Sequence, residues 1–157
     1  MARRRRAEKR DVAPDARYGS KLVTLLVNFT MRKGKKSVAE KIVYGAFDKI
    51  AIENQGSNPL EVLERAVGNA RPRLEVKSRR VGGATYQVPL EIGGSRQIAL
   101  ALRWLVDFSH ARKGVLMTDA LATEIREASD GQGSCIRKRD EMHKMAQSNK
   151  AFAHFRW

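Results

Sequence analysis

The chain has 157 residues, 42% of them hydrophobic, and its 31 lysines and arginines against 17 acids give a net charge of +14. This length is typical of a single domain with its own core, and the lone Cys135 indicates a reducing compartment such as the cytoplasm. The excess charge predicts a polyanionic partner. Because no apolar stretch approaches the ~20 residues of a membrane span, nucleic acid is favoured over membrane.

The first 17 residues are predicted to form a disordered basic arm. Six cations and one acid, Glu8, occupy the first ten positions, and Pro14 and Asp15 follow before any core residue. Blocks of like charge stay unfolded on their own and commonly bind nucleic acid as tails. The cations expected to make these contacts are Arg3, Arg4, Arg5, Arg6, Lys9 and Arg10.

Apolar residues at helical spacing predict six helices in a single domain, with the core expected between residues 18 and 149. The helical pattern begins at Ser20 for the first helix, and Asn58 with Glu61 has the spacing of a capping box that opens the third. Ser37 and Glu40 have the spacing of a capping box, which predicts that the second helix opens there. The fold class is therefore mainly α.

The C-terminal half is predicted to hold the centre of the bundle. The fourth helix, opened by Ser95, is the most apolar, so we expect it to be central and Trp104 to be buried. A fifth helix follows, and a sixth opens at Ser134 with many cations and few apolar residues, which indicates a surface position. Residues 150–157 form an aromatic tail that either packs onto the helices or stacks on bases or a partner.

Residues 73–89 alternate around a Gly82-Gly83 pair, which predicts a projecting β-hairpin. A two-residue turn would divide the apolar side chains between both faces, whereas a register shifted by one gathers them on one face. We therefore expect a turn of three or five residues. The segment holds a single acid, Glu75, which favours a basic finger on nucleic acid over a merely solvated hairpin. Its cations are Arg71, Arg73, Lys77, Arg79 and Arg80.

No catalytic or metal-binding pattern stands out. The segment 34–37 resembles the end of a phosphate-binding loop, but Phe29 replaces its first glycine and Lys36 its magnesium-binding hydroxyl. The histidines lack metal-ligand spacing. We therefore predict no enzyme, no cofactor and no metal. The alternatives to RNA binding are a sequence-tolerant DNA-binding regulator, whose helices hide a helix-turn-helix, and a small RNA-modifying enzyme.

Three stretches are distinctive: MRKGKK at 31–36, RPRLEVKSRRVGGATYQVP at 71–89, and residues 136–157. On these stretches the chain resembles the family of small-subunit ribosomal protein seven, of the bacterial and organellar type. The resemblance covers essentially the whole length. It implies a six-helix bundle with a β-hairpin arm, located in the head of the small ribosomal subunit in the cytoplasm.

The resemblance further implies a primary binder of 16S-type rRNA that contacts the 3′ major domain and nucleates head assembly near the decoding region. Expected neighbours are exit-site tRNA, mRNA and small-subunit proteins nine and eleven, with no membrane and no second copy of the chain. Besides the arm, the predicted rRNA contacts are Arg32, Lys33, Lys35, Lys36, Arg71, Arg73, Lys77, Arg79, Arg80, Arg96, Arg112 and Lys113. The residues predicted near the tRNA are Arg79, Gly82, Gly83 and Lys144.

Overall fold

Helices make up most of the chain in this computed structural model, which describes residues 11–53 and 58–155. In chain order the elements are α1 (Lys21–Thr30), α2 (Lys36–Glu53), α3 (Pro59–Ala70), β1 (Leu74–Val81), β2 (Ala84–Glu91), α4 (Gly94–Ala111), α5 (Met117–Ser129) and α6 (Gly133–Ser148). A C-terminal 3₁₀ helix, Lys150–Phe155, follows α6. The described residues confirm the predicted helical bundle with one hairpin. The arm cations Arg3, Arg4, Arg5, Arg6, Lys9 and Arg10 lie outside them.

Side-chain caps explain where two of the helices begin. Ser20 and Asn58 accept hydrogen bonds from the amides two residues further on, at 3.2 and 3.1 Å, and so cap α1 and α3, which begin where the sequence predicted. Three other predicted starts are wrong, since Ser37, Ser95 and Ser134 already lie inside α2, α4 and α6. In α4 the N-cap is Gly93, which has no side chain to cap the helix, and its carbonyl accepts from the Arg96 and Gln97 amides at 2.9 and 3.0 Å.

The core is centred on α5, which packs against α2, α3, α4 and α6. Seven of its 13 residues are buried, compared with six of the 18 in α4, so the prediction that α4 is central is wrong. The small side chains of Ala120, Ala122 and Ala128 let neighbouring helices approach α5 closely from several sides. Trp104 on α4 is buried, as predicted. No described helix has the length and apolarity needed to cross a bilayer.

The hairpin turn consists of two residues only. Val81 pairs with Ala84, which leaves Gly82 and Gly83 as the turn. Both glycines have positive φ, 58° and 92°, which a type I′ turn requires. This turn type is favoured in hairpins because its twist matches the twist of the two strands. The predicted turn of three or five residues is therefore wrong.

Packing on both faces of the hairpin explains this register. Val88 is fully buried on one face, while Leu74 and Pro89 on the other face line a hollow together with His143 of α6. The sequence prediction assumed that only one face is covered. Since the base of the hairpin has neighbours on both sides, dividing its apolar side chains between the faces costs little.

The aromatic tail packs onto the hairpin. The ring centroid of Tyr86 lies 5.0 Å from that of Phe152 and 5.1 Å from that of Phe155. Aromatic rings attract one another at such distances. Residues 150–155 therefore pack on the chain itself, but mainly on β2 and less on α6, whereas the packing predicted for the tail was onto the helices. The C-terminal 3₁₀ helix therefore braces β2 on the side nearer the turn.

The described end of the predicted arm, residues 11–17, is tied to the bundle. Asp15 accepts hydrogen bonds from the Arg17 amide at 3.0 Å and from the Tyr44 hydroxyl at 2.7 Å. The bond to Asp15, together with burial, raises the pKa of Tyr44 to about 12. The Arg17 guanidinium pairs with Asp48 at 2.6 Å. These contacts attach the segment that precedes α1 to helix α2.

Candidate nucleic-acid interface

The loop between α1 and α2 holds consecutive cations on a tight turn. Arg32, Lys33 and Lys35 are all exposed. Lys33 and Gly34 have positive φ, 53° and 75°, a conformation uncommon for lysine. The Lys35 amide donates to the Arg32 carbonyl at 3.1 Å, which closes the turn. The loop is therefore short and defined, and its cations face solvent.

The loop after α4 meets this turn at the same end of the bundle. Arg32 and Lys35 line a hollow together with His110, near the end of α4, and Met117, at the start of α5. Burial and the Arg32 charge lower the pKa of His110. Exposed Lys113 follows in the α4–α5 loop. We call this basic end the loop face; its residues are Arg32, Lys33, Lys35, Lys36, His110 and Lys113.

Arg112 is placed differently from these cations. Its Nη2 atom lies 2.7 Å from Oε2 of Glu124 and 2.5 Å from Oε2 of Glu127. The Glu124 side chain is fully buried, and its other oxygen accepts the Cys135 amide at 3.0 Å. Arg112 therefore supplies the charge that balances a buried carboxylate. Its contact with rRNA stays a prediction.

The second basic region is organised by one buried acid. Glu75 on β1 is 8% exposed, and its carboxylate lies 3.1 Å from Lys77 Nζ and 2.9 Å from Arg96 Nη2. Burial opposes ionisation of Glu75, but hydrogen bonds from Arg96 and Lys77 outweigh it and lower the pKa of Glu75. The ion pairs join the hairpin to the start of α4.

The base of the hairpin is also held by α6. The Arg73 amide donates to Nε2 of His143 at 2.9 Å, and an Arg139 guanidinium nitrogen donates to the Asn69 carbonyl. Burial and the nearby Arg139 charge lower the pKa of His143. Nε2 must be unprotonated to accept the Arg73 amide. The exit of the chain from α3 into β1 is thus fixed by a neutral histidine.

We call this region the hairpin face. Arg71, Arg73 and Arg80 are exposed, and Arg79 lies opposite Tyr86 with its side chain half-buried. The exposed glycine turn is the tip of the hairpin. Lys144 is exposed on α6 beside His143, so it lies with the base and not with the tip. The residues of the face are Arg71, Arg73, Lys77, Arg79, Arg80, Arg96 and Lys144.

The two faces lie at opposite ends of α4. Arg96 belongs to the first turn of this helix and His110 to the last. At 1.5 Å per residue these positions are about 20 Å apart along the axis. The rigid bundle thus presents cations at two separate places. Two separated groups of cations on a rigid body can contact a polyanion at two points and so fix its orientation, as phosphate contacts do.

His110 of the loop face and His143, which supports the base of the hairpin, were not among the predicted site residues. Arg73 and His143 are 70 residues apart, and no sequence period links them. No group of three or more histidine, cysteine, aspartate or glutamate side chains that could hold a metal ion occurs among the described residues. The position of His110 in the last turn of α4 was a usable signal, whereas His143 lies in the interior of α6 and no comparable signal marks it.

Comparison with known proteins completes this picture. Residues 2–150 match the family described as Ribosomal protein S7p/S5e. The chain is 55% identical to small ribosomal subunit protein uS7 of Francisella tularensis subsp. holarctica (strain OSU18), over the full length of both chains. It is 54% identical, again over both full lengths, to the proteins of that name from subsp. novicida (strain U112) and subsp. tularensis (strain WY96-3418). The predicted family is confirmed: the chain belongs to the Ribosomal protein S7p/S5e family of structural proteins of the small ribosomal subunit.

Proposed function

We propose that the chain binds small-subunit rRNA directly and uses the loop face and the hairpin face as two separate grips. The observation that carries this proposal is the placement of exposed cations at both ends of α4, about 20 Å apart. A net charge of +14 alone would fit a uniform basic coat equally well. Two defined faces on a rigid body instead suit an RNA that folds around the protein.

The chemistry of each face suits phosphate. Arg32, Lys33 and Lys35 project from a closed turn, so little backbone freedom is lost when they meet phosphate oxygens. On the hairpin face, Glu75 holds Arg96 and Lys77 near one another. A-form RNA is recognised mainly by its shape and by its phosphate backbone, and cations held at fixed positions can make contacts of this kind. The predicted contacts at Arg71, Arg73, Arg80 and Lys113 belong to the same proposal.

The finer assignment is the 3′ major domain of 16S-type rRNA, with binding that nucleates assembly of the subunit head. It is supported by the resemblance at residues 31–36, 71–89 and 136–157. The exposed Gly82-Gly83 tip is the part of the hairpin proposed to approach exit-site tRNA and mRNA. Small-subunit proteins nine and eleven are the proposed protein neighbours.

A salt titration tests the proposal. The full chain is bound to a transcript of the 3′ major domain at increasing salt, and the slope of log affinity against log salt is measured. If six to ten phosphates are neutralised, affinity falls by roughly 10³-fold or more between about 50 and 200 mM salt. A flat response would overturn direct binding through cations.

A matched control separates the faces from net charge. Lys35→Ala removes one cation from the loop face, and Arg65→Ala removes one exposed cation from α3, outside both faces. We expect the slope to fall by about 0.7–0.9 for Lys35→Ala and to stay unchanged for Arg65→Ala.

Competition with DNA tests the alternative function. Excess duplex DNA should fail to displace the RNA, and displacement by DNA would instead favour a DNA-binding regulator.

A further inference from the structure

The loop face contains a small apolar hollow that the phosphate contacts do not use. It has a volume of about 210 Å³ and lies between the α1–α2 loop, the start of α2 and the junction of α4 with α5. Its walls include Val38, Ile42 and Met117. Val38 is 50% exposed, so this apolar surface is open to solvent. An apolar opening on a strongly basic face calls for a ligand with both apolar and anionic parts.

The rim of the hollow supplies the charge for such a ligand. Arg32 and Lys35 border it from the α1–α2 loop, and His110 borders it from α4. Among the described residues that line it, none carries a carboxylate. Burial and Arg32 hold the pKa of His110 low, so its ring is uncharged near neutral pH. A neutral ring and a guanidinium plane are both groups on which a base stacks.

We propose that this hollow receives one unstacked nucleotide of the rRNA. The base lies against Val38, Ile42 and Met117, and its phosphate lies on Arg32 and Lys35. The inference rests on the proposed function, because the loop face must first bring RNA to this end of the bundle. The other proposed contacts of the chain are with the phosphate backbone, and the hollow adds a contact with one unpaired base.

The size and charge of the hollow favour a nucleotide over other occupants. A peptide helix is about 10 Å across with its side chains, too wide to enter a space of 210 Å³. A paired base cannot enter, because its edges are held in the duplex, whereas bases in loops and bulges are splayed out and can be inserted. Arg32 and Lys35 at the rim complement phosphate, which every nucleotide carries.

Two valines provide a matched test. Val38 lines the hollow and Val115 does not, yet both are 50% exposed on the same end of the bundle. Val38→Ser and Val115→Ser are compared with the unmodified chain on the 3′ major domain transcript. Affinity, salt slope and base-specific chemical probing are measured, and thermal unfolding checks that both variants fold.

We expect the unmodified chain to protect an unpaired nucleotide from base-specific reagents. Val38→Ser should lose this protection and bind about tenfold more weakly, the usual effect of losing contact with one base, with an unchanged salt slope. Val115→Ser should behave like the unmodified chain. Lys35→Ala, in contrast, should lower the salt slope.

The outcomes separate this inference from the proposed function. Salt-dependent binding without a protected nucleotide would overturn the nucleotide site alone. Equal losses in both valine variants, or no loss in Val38→Ser, would do the same, because the hollow would then have no role of its own. Absence of salt-dependent binding by the unmodified chain would overturn the proposed function and this inference together.

Discussion

The loop face and the hairpin face present cations in different ways. On the loop face, backbone hydrogen bonds close a short turn, and the exposed Lys36 Nζ lies 3.7 Å from a carboxylate oxygen of Glu40. On the hairpin face, buried Glu75 binds two of the cations, Lys77 and Arg96, directly. The first face is ordered by its backbone and the second by ion pairs and packing.

This difference predicts different costs of binding RNA. Cations of the loop face meet phosphate without giving up a buried partner. Arg96 and Lys77 are about half exposed and keep donors for phosphate while Glu75 holds them in place. The hairpin face also depends on long-range contacts from α6 and the tail, so its order is sensitive to changes far from the cations. The following variants test that contrast.

The largest effect is expected at Arg112, the residue before Lys113 of the loop face. Arg112→Ala leaves the fully buried Glu124 without its charge partner. Breaking a buried pair in this way should lower the free energy of unfolding by about 3 kcal/mol. Denaturant unfolding measures this loss, and Lys113→Ala, one residue further and exposed, should change it by less than about 0.5 kcal/mol. Equal small effects would show that the Glu124 pair is not structural.

A smaller effect is expected when the aromatic brace is removed. Tyr86→Ala deletes the ring that contacts Phe152 and Phe155. We expect a loss of about 1–2 kcal/mol and faster hydrogen exchange of β1 and β2 amides, while α1 and α2 keep their protection. Tyr86→Phe keeps the ring contacts and is the control. Unchanged exchange in Tyr86→Ala would mean that the tail does not order the hairpin.

The smallest effect is a pH dependence confined to the hairpin face. The pKa of His143 is lowered from its ordinary 6.5, so the unfolded chain takes up the proton more readily than the folded one. Its contribution to stability is complete above pH 6.5 and is lost as the pH falls below that value. Exchange of the Arg73 amide should therefore accelerate between about pH 7 and pH 5 beyond the intrinsic pH effect.

A glutamine at this position separates protonation from packing. His143→Gln offers an amide oxygen in place of Nε2 and has no proton to gain in this range. We expect the variant to fold and to lose the extra acceleration at the Arg73 amide. An acceleration that survives in His143→Gln would assign the pH dependence to another group, such as His110 on the loop face, whose pKa is also lowered.

Much of the fold could be predicted because local patterns decide it. Helical spacing and the caps at Ser20 and Asn58 act within a few residues, and the structure has both. The hairpin turn was misjudged because its register depends on which faces are covered, and that is decided by α6 and the tail. The centre of the bundle was misjudged because apolarity favours α4, whereas the small residues of α5 allow closer packing.

The candidate faces could be predicted only in part. Runs of cations mark the α1–α2 loop and the hairpin without any knowledge of tertiary structure. The role of Arg112 was hidden, because its partner Glu124 is 12 residues away on another helix and looks like an ordinary surface acid in the sequence. The hollow beside Val38 was hidden for the same reason, since three separate segments build it.

The most direct test of two separate grips is a hydroxyl-radical footprint of the 3′ major domain transcript. The full chain is compared with a loop-face variant, Lys33→Ala with Lys35→Ala, and a hairpin-face variant, Arg73→Ala with Arg80→Ala. Two faces about 20 Å apart predict that each variant loses protection in a different RNA segment while the other segment stays protected. Loss of the same nucleotides in both variants would contradict the account.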